Sequence, residues 1–286
     1  MRSTAFLTIL LLLIGMLCGC ASQPAAQVAA TTLPVYHFTQ RLCQGTGISV
    51  TRLVTESVSC LHDYSLNVSQ VRAAEAAEVV VISGMGLEDF MADILSNTDT
   101  IDSSAGIEAA HGEHHHEGHH HEEDAHIWLS PENAKVMATN ICGGLCQRFP
   151  AHQDTFRKNL EGLLEDLDAL QSYAARSLAD LSCRELVTFH DGFTYLAESF
   201  DLTILKAIEE ESGSEASAHE LIELVRLVQE NQLPAIFTES NGSASAADII
   251  AAETGVAIYT LDMAMAGEDY FDAMYHNIDT IKEALG

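Results

Sequence analysis

The stretch PAIFTESNGSASAADIIAAETGVAIYTLD, residues 234–262, places a run of helical composition between two short β-rich runs. Residues 234–240 and 256–262 are predicted strands, and residues 243–254 are the predicted helix between them. Strands that are joined through a helix pair in parallel, because the helix carries the chain back along the sheet. The stretch therefore predicts an α/β fold.

The same alternation extends over most of the chain. Further strands are predicted at residues 31–36, 49–54, 79–84, 185–190 and 202–208, and further helices at residues 68–78 and 219–230. Strands that alternate with helices are typical of parallel sheets. We therefore predict two α/β domains with central, mostly parallel sheets, at residues 31–152 and 183–286.

A long amphipathic segment lies between the two predicted domains. In residues 154–181 apolar side chains recur at steps of three and four, and Gly162 is the only glycine or proline. This pattern predicts one linking helix, assigned to residues 153–182, which would span about 42 Å at ~1.5 Å per residue. A shared rigid helix predicts limited hinge bending, so that release of a ligand would depend on local loop movement.

The N-terminal residues 1–19 resemble a secretory signal peptide. They contain one Arg and an apolar run that is too short to span a membrane comfortably. The sequence LCGC at residues 17–20 resembles the lipobox of bacterial lipoproteins, which implies cleavage before Cys20 and a lipid on its sulfur. We expect an extracytoplasmic protein held to the membrane by this lipid alone, with a flexible tether at residues 20–30.

The charge balance is strongly acidic. The chain has 42 acidic and 13 basic residues, a formal net charge of −29. Such a chain repels nucleic acid and anionic membrane surfaces, so neither is an expected partner. Cations are the partners that this composition favours.

Three histidines and one aspartate stand where ligand sites form in α/β proteins. His190 and Asp262 end predicted strands, His62 follows a strand and loop, and His126 precedes an apolar segment. Three imidazoles and a carboxylate suit tetrahedral zinc, whereas manganese prefers more oxygen ligands. Each histidine alone would pass as an ordinary core or surface residue. Their joint occurrence in both halves is what favours a metal site.

Three separated motifs carry a family resemblance. HDYSLNVSQVRAAEAAEVVVISGMGLEDFM (62–91), DAHIWLSPENA (124–134) and FHDGFTYLAESFDL (189–202) occur in this order. They resemble the motifs of solute-binding lipoproteins of ABC-type zinc and manganese importers, the cluster A-I or TroA-like family. The resemblance covers nearly the whole chain after the signal peptide.

The resemblance implies a ligand set and a role. It implies His62, His126 and His190 as metal ligands and Asp262 as the fourth, with Glu239 as the alternative carboxylate or a supporting residue. Manganese-type members carry a carboxylate where this chain has His190, which favours zinc. The implied function is capture of Zn²⁺ as transported ligand and its delivery to an ABC permease with its ATPase, without any catalysed reaction.

A histidine-rich acidic segment, HGEHHHEGHHHEE at residues 111–123, lies before the second implied ligand. Such a composition cannot build a core, so we expect a loop. Our hypothesis is that it is an auxiliary, low-affinity metal-gathering loop, dispensable for tight binding; the alternative is a solvated charge run. Its histidines are His111, His114, His115, His116, His119, His120 and His121.

Other functions remain open at this level. A receptor for manganese or another divalent metal would share the fold and the motifs. A zinc-dependent hydrolase would keep water in the fourth coordination position and use Asp191 or Glu239 as general base. A surface adhesin or a periplasmic zinc buffer would also be compatible with the fold.

Overall fold

The computed structural model is described here over six parts of the chain. These are residues 27–56, 61, 64–110, 124–209, 217–240 and 245–286. The predicted signal peptide, Cys20, His62 and the histidine-rich segment 111–123 lie outside the described residues. Within the described parts, no helix combines the length and the apolar character needed to cross a membrane.

The N-terminal half, residues 27–148, is built on a parallel four-stranded sheet in the order β2-β1-β3-β4. Alternate residues of β3 point to opposite faces: Val79 and Val81 belong to the main core, and Val80 to a smaller one on the other face. The elements are β1 (Val28–Ala30), α1 (Leu33–Leu42), β2 (Val50–Arg52), α2 (Val68–Ala76), β3 (Val79–Ile82), α3 (Ala92–Leu95), β4 (Thr100–Asp102) and α4 (Pro131–Arg148).

The start of this half differs from the prediction. The predicted strand at residues 31–36 is wrong: β1 lies at Val28–Ala30, and residues 33–36 form the first turn of α1. Pro34 lies in the first helical turn, where proline is favoured because its missing N–H leaves no bond unmade. The tether predicted over residues 20–30 is correspondingly too long, since β1 is an interior strand and is completely buried.

The C-terminal half, residues 185–286, contains a second parallel sheet in the order β6-β5-β7-β8. All four strands predicted for this half are present, within one residue at either end. The elements are β5 (Glu185–His190), α6 (Thr194–Ser199), β6 (Thr203–Glu209), α7 (Ala218–Glu230), β7 (Ala235–Glu239), α8 (Ser245–Thr254), β8 (Ala257–Leu261) and α9 (Tyr270–Leu285).

One long helix, α5 (Gln153–Ser177), joins the two halves, as predicted. It packs against α1 and α4 of the N-terminal half and against α9 of the C-terminal half. It ends at Ser177 rather than at residue 182. Arg184 donates hydrogen bonds to the carbonyls of Leu178 (2.9 Å) and Ala179 (3.4 Å), the first two residues after the helix, so these carbonyls are satisfied without a further helical turn.

Candidate metal site

His190 is the last residue of β5 and lies at the carboxyl edge of the C-terminal sheet. The strand is buried from Leu186 onward, and 3% of His190 is exposed. The chain then turns at Asp191 and Gly192 before α6 begins. Burial of the strand thus fixes the backbone that presents this imidazole between the two halves.

His126 is held in the N-terminal half by the apolar segment that follows it. Ile127, Trp128 and Leu129 form a single 3-10 turn and are completely buried. Ser130 then caps α4, accepting a hydrogen bond from the backbone N–H of Asn133 at 3.3 Å. With its neighbours packed in this way, His126 itself is 6% exposed.

The two histidines meet across the boundary between the halves. Their Nε2 atoms are 3.4 Å apart, and the ring planes are nearly perpendicular at 89°. Two nitrogen ligands of a tetrahedral zinc ion, each at 2.0–2.1 Å from the metal, lie about 3.3–3.4 Å from each other. The spacing of His126 and His190 is therefore the spacing of two zinc ligands.

Asp124 orients the imidazole of His126. Its Oδ1 lies 2.8 Å from Nδ1 of His126 and also accepts the backbone N–H of His126 at 2.9 Å. Since a carboxylate only accepts, the ring proton is on Nδ1 and the Nε2 lone pair points toward His190. Burial alone would raise the pKa of Asp124, but its hydrogen bonds and its attraction to His126 outweigh burial and lower the pKa. The sequence reasoning did not identify Asp124; its spacing of two residues from His126 was the available signal.

Gly192 is the second residue of the site that the sequence reasoning missed. A Cβ atom at this position would lie 2.8 Å from Nε2 of His190 and 2.7 Å from both Cδ2 of His190 and Cε of Met263. The imidazole and the methionine methyl group therefore pack directly over the glycine. A larger residue would displace the ring.

Asp262, the predicted fourth ligand, follows β8 and is half-buried. Its Oδ1 accepts the backbone N–H of Ala264 at 2.7 Å, and its backbone N–H and carbonyl bind the side-chain amide of Asn277 at 2.7 Å each. Within the described parts of the chain, no three histidine, cysteine, aspartate or glutamate side chains are arranged to hold a metal ion. The structure thus brings together His126 and His190 but not Asp262 with them.

The other candidate metal ligands are Glu239, His62 and the histidines of residues 111–123. Glu239, the alternative carboxylate, ends β7 next to β5 and is buried, 5% exposed. Leu61 is fully buried in the main core, whereas the adjacent His62 lies outside the described residues, as do the seven histidines of residues 111–123. The ligand roles of His62, Asp262 and Glu239 stay predictions.

The fold and the paired histidines define a class of protein, the metal-binding solute-binding proteins. The structural neighbours of the chain are members of the TroA-like cluster A-I of this class. The family model described as "Zinc-uptake complex component A periplasmic", ZnuA, matches residues 28–284, and the chain belongs to this family. The family resemblance found in the sequence is thereby confirmed.

Individual relatives show the range of the similarity. The chain is 30% identical to the zinc-binding lipoprotein AdcA of Streptococcus pneumoniae over 93% of its own length but only 58% of the length of AdcA. It is 28% identical to the manganese-binding lipoprotein MntA of Bacillus subtilis, over 94% of this chain and 95% of MntA. A crystal structure of ZnuA covers 91% of this chain and all of its own, with 29% identity and a TM-score of 0.81. The family is one of extracytoplasmic metal-binding receptors for ABC-type uptake.

Proposed function

We propose that the protein is a zinc receptor, which captures Zn²⁺ between its two halves and delivers it to an ABC permease. His126 and His190 bind the ion directly, one from each half. His62 supplies the third nitrogen, and Asp262, or Glu239 in its place, supplies an oxygen. The observation that carries the proposal is the 3.4 Å separation of the two Nε2 atoms, which equals the ligand spacing of tetrahedral zinc.

The donor chemistry supports zinc over manganese. Nitrogen ligands suit zinc, whereas manganese is favoured by carboxylate, carbonyl and water oxygens. The Asp124 carboxylate keeps His126 in the tautomer that binds metal through Nε2, which raises the basicity of that nitrogen. Manganese is the second candidate because the similarity to MntA extends over nearly the whole chain.

The cellular setting is part of the proposal. AdcA and MntA are named as lipoproteins, and this agrees with a lipid on Cys20 and a location outside the cytoplasm. The relatives are named for metal binding and the family for zinc uptake, so we propose a receptor rather than a hydrolase. The partners are a permease and its ATPase, and the domains are residues 28–152 and 183–286.

Competition titration with a chromophoric chelator tests the proposed function. Zinc and manganese would be titrated into the wild type, His190→Ala and the control His219→Ala, which removes an exposed histidine of α7. We expect one tight zinc site that prefers zinc to manganese, at least a hundredfold weaker in His190→Ala and unchanged in His219→Ala. Wild-type affinity in His190→Ala would refute the site, and a preference for manganese would refute the choice of metal.

A further inference from the structure

The loop at residues 262–269, between β8 and α9, belongs to the C-terminal half but is held by side chains of the N-terminal half. Trp128 donates its indole N–H to the carbonyl of Met263 at 2.8 Å. Arg52, the last residue of β2, donates from Nη2 to the carbonyl of Met265 at 2.5 Å and from Nη1 to that of Gly267 at 2.8 Å. Three carbonyls of one loop are thus bound across the boundary between the halves.

All three nitrogens of the Arg52 guanidinium donate hydrogen bonds to backbone carbonyls. Its Nε donates to the carbonyl of Val54, two residues further along the chain, at 2.6 Å, which orients the guanidinium. The group is planar and always charged, so that its remaining N–H groups form a rigid fork. The loop that Arg52 binds lies more than 200 residues further along the chain.

One residue of the loop has a backbone conformation that is unfavourable for a residue with a side chain. Ala264 has a φ of 54°, in the left-handed region that disfavours residues with a Cβ atom. Such a conformation persists when surrounding contacts impose it. The bonds from Arg52 and Trp128 are contacts of this kind, because they hold the carbonyls immediately before and after Ala264.

The loop also borders the metal site. It begins at Asp262, the proposed carboxylate ligand. The methyl group of the next residue, Met263, packs with the His190 ring over Gly192. A shift of the loop therefore moves the carboxylate and removes packing from His190 at the same time.

We propose that Arg52 is a positioning residue of the metal site, which holds the 262–269 loop against the N-terminal half and thereby slows the release of bound metal. The role rests on the proposed function, since it needs a metal held between the halves. It also identifies the part of the molecule whose movement releases the metal: the bonds from Arg52 must break before the loop can leave the site.

Arg184 offers a matched control for a purely structural effect. Its guanidinium also binds backbone carbonyls, those of Leu178, Phe200 and Asp201 among them, at 2.9–3.2 Å. All of these lie within or next to the C-terminal half and away from the two histidines. Arg184→Met should therefore lower stability without changing how metal is released.

Stopped-flow release of zinc from the loaded full chain into excess chelator tests the proposal. We expect Arg52→Met to release zinc at least ten times faster than the wild type, with an unchanged association rate. Arg52→Lys, which keeps the charge but not the fork, should lie between the two, and Arg184→Met should release at the wild-type rate. Thermal unfolding of the metal-free proteins reports any general loss of stability.

The outcomes distinguish a failure of the Arg52 role from a failure of the proposed zinc-receptor function. Wild-type release from Arg52→Met, or equal acceleration in Arg184→Met, would overturn the role of Arg52. Should Arg52→Met not fold, Arg52→Lys decides, and wild-type release from it would overturn the role as well. A wild-type protein that retains no zinc would instead overturn the proposed function itself.

Discussion

Replacing Gly192 by alanine tests the packing of the site with the smallest available change. The added methyl group would lie 2.7–2.8 Å from two atoms of the His190 ring, whereas ordinary contacts begin at 3.4 Å. The ring must therefore move by about 0.7 Å. Met263 can swing its methyl group aside at little cost, but that leaves the overlap with His190 in place.

The size of the effect follows from the tolerance of metal coordination. Ligand distances in metal sites stay within about 0.2 Å of their ideal values, so a ring shift of about 0.7 Å exceeds what the site accepts. Disturbing the support of a metal-bound histidine typically lowers metal affinity about 10–100-fold, or about 1.4–2.8 kcal/mol. The φ of Gly192 is outside the left-handed region, so backbone strain adds nothing to this.

Competition titration of zinc against Gly192→Ala measures the loss. The control is Gly162→Ala in α5, where an added Cβ has no atom within 4 Å. That variant should keep wild-type affinity and gain about 1 kcal/mol in free energy of unfolding, because alanine favours the helix. Wild-type zinc affinity in Gly192→Ala would refute the placement of His190 in the site.

Three further changes test neighbouring parts of the account. Asp124→Asn removes the charge that supports His126, and zinc affinity measured by calorimetry should fall about tenfold; an unchanged affinity would speak against the orienting role. Burial raises the pKa of Glu88 to about 7, despite hydrogen bonds from Thr31, Ser83 and Gly84. Between pH 4.5 and 7 the native carboxyl therefore keeps a proton that the unfolded chain has lost, and its contribution to the free energy of unfolding falls by about 1 kcal/mol per pH unit as pH rises. Urea unfolding of the wild type and Glu88→Gln should show this decline in their difference, and a difference independent of pH would contradict it. Deleting residues 111–123 should leave the tight zinc site intact while reducing the total zinc bound, and loss of the tight site on titration would reject the auxiliary role of these histidines.

The strands were predictable mainly where they are long enough to show a local pattern. In the C-terminal half each strand is five to seven residues long, which is enough for its β-rich composition to stand out. In the N-terminal half β1, β2 and β4 have three residues each, too few for a recognisable period, and of these only β2 falls within a predicted strand, at residues 49–54. The error at residues 31–36 arose because β-branched composition was weighted above Pro34, whose place in the first turn of α1 marks a helix start.

The site was predictable only in part, for a related reason. The positions of His126 and His190 follow from local rules, the end of a parallel strand and a family motif. The need for Gly192 comes from the His190 ring that packs over it, a contact that is visible only in three dimensions. Arg52 was missed for the same reason, since its partners lie in the opposite half of the chain.

The central claim is that histidines of the two halves bind one zinc ion. Zinc K-edge X-ray absorption of the protein lacking residues 111–123, loaded with one equivalent of zinc, tests it most directly. The account predicts a shell of nitrogen and oxygen ligands at about 2.0–2.1 Å, with the outer-shell scattering of three imidazoles. A sulfur shell at about 2.3 Å, or a shell without imidazole scattering, would contradict it.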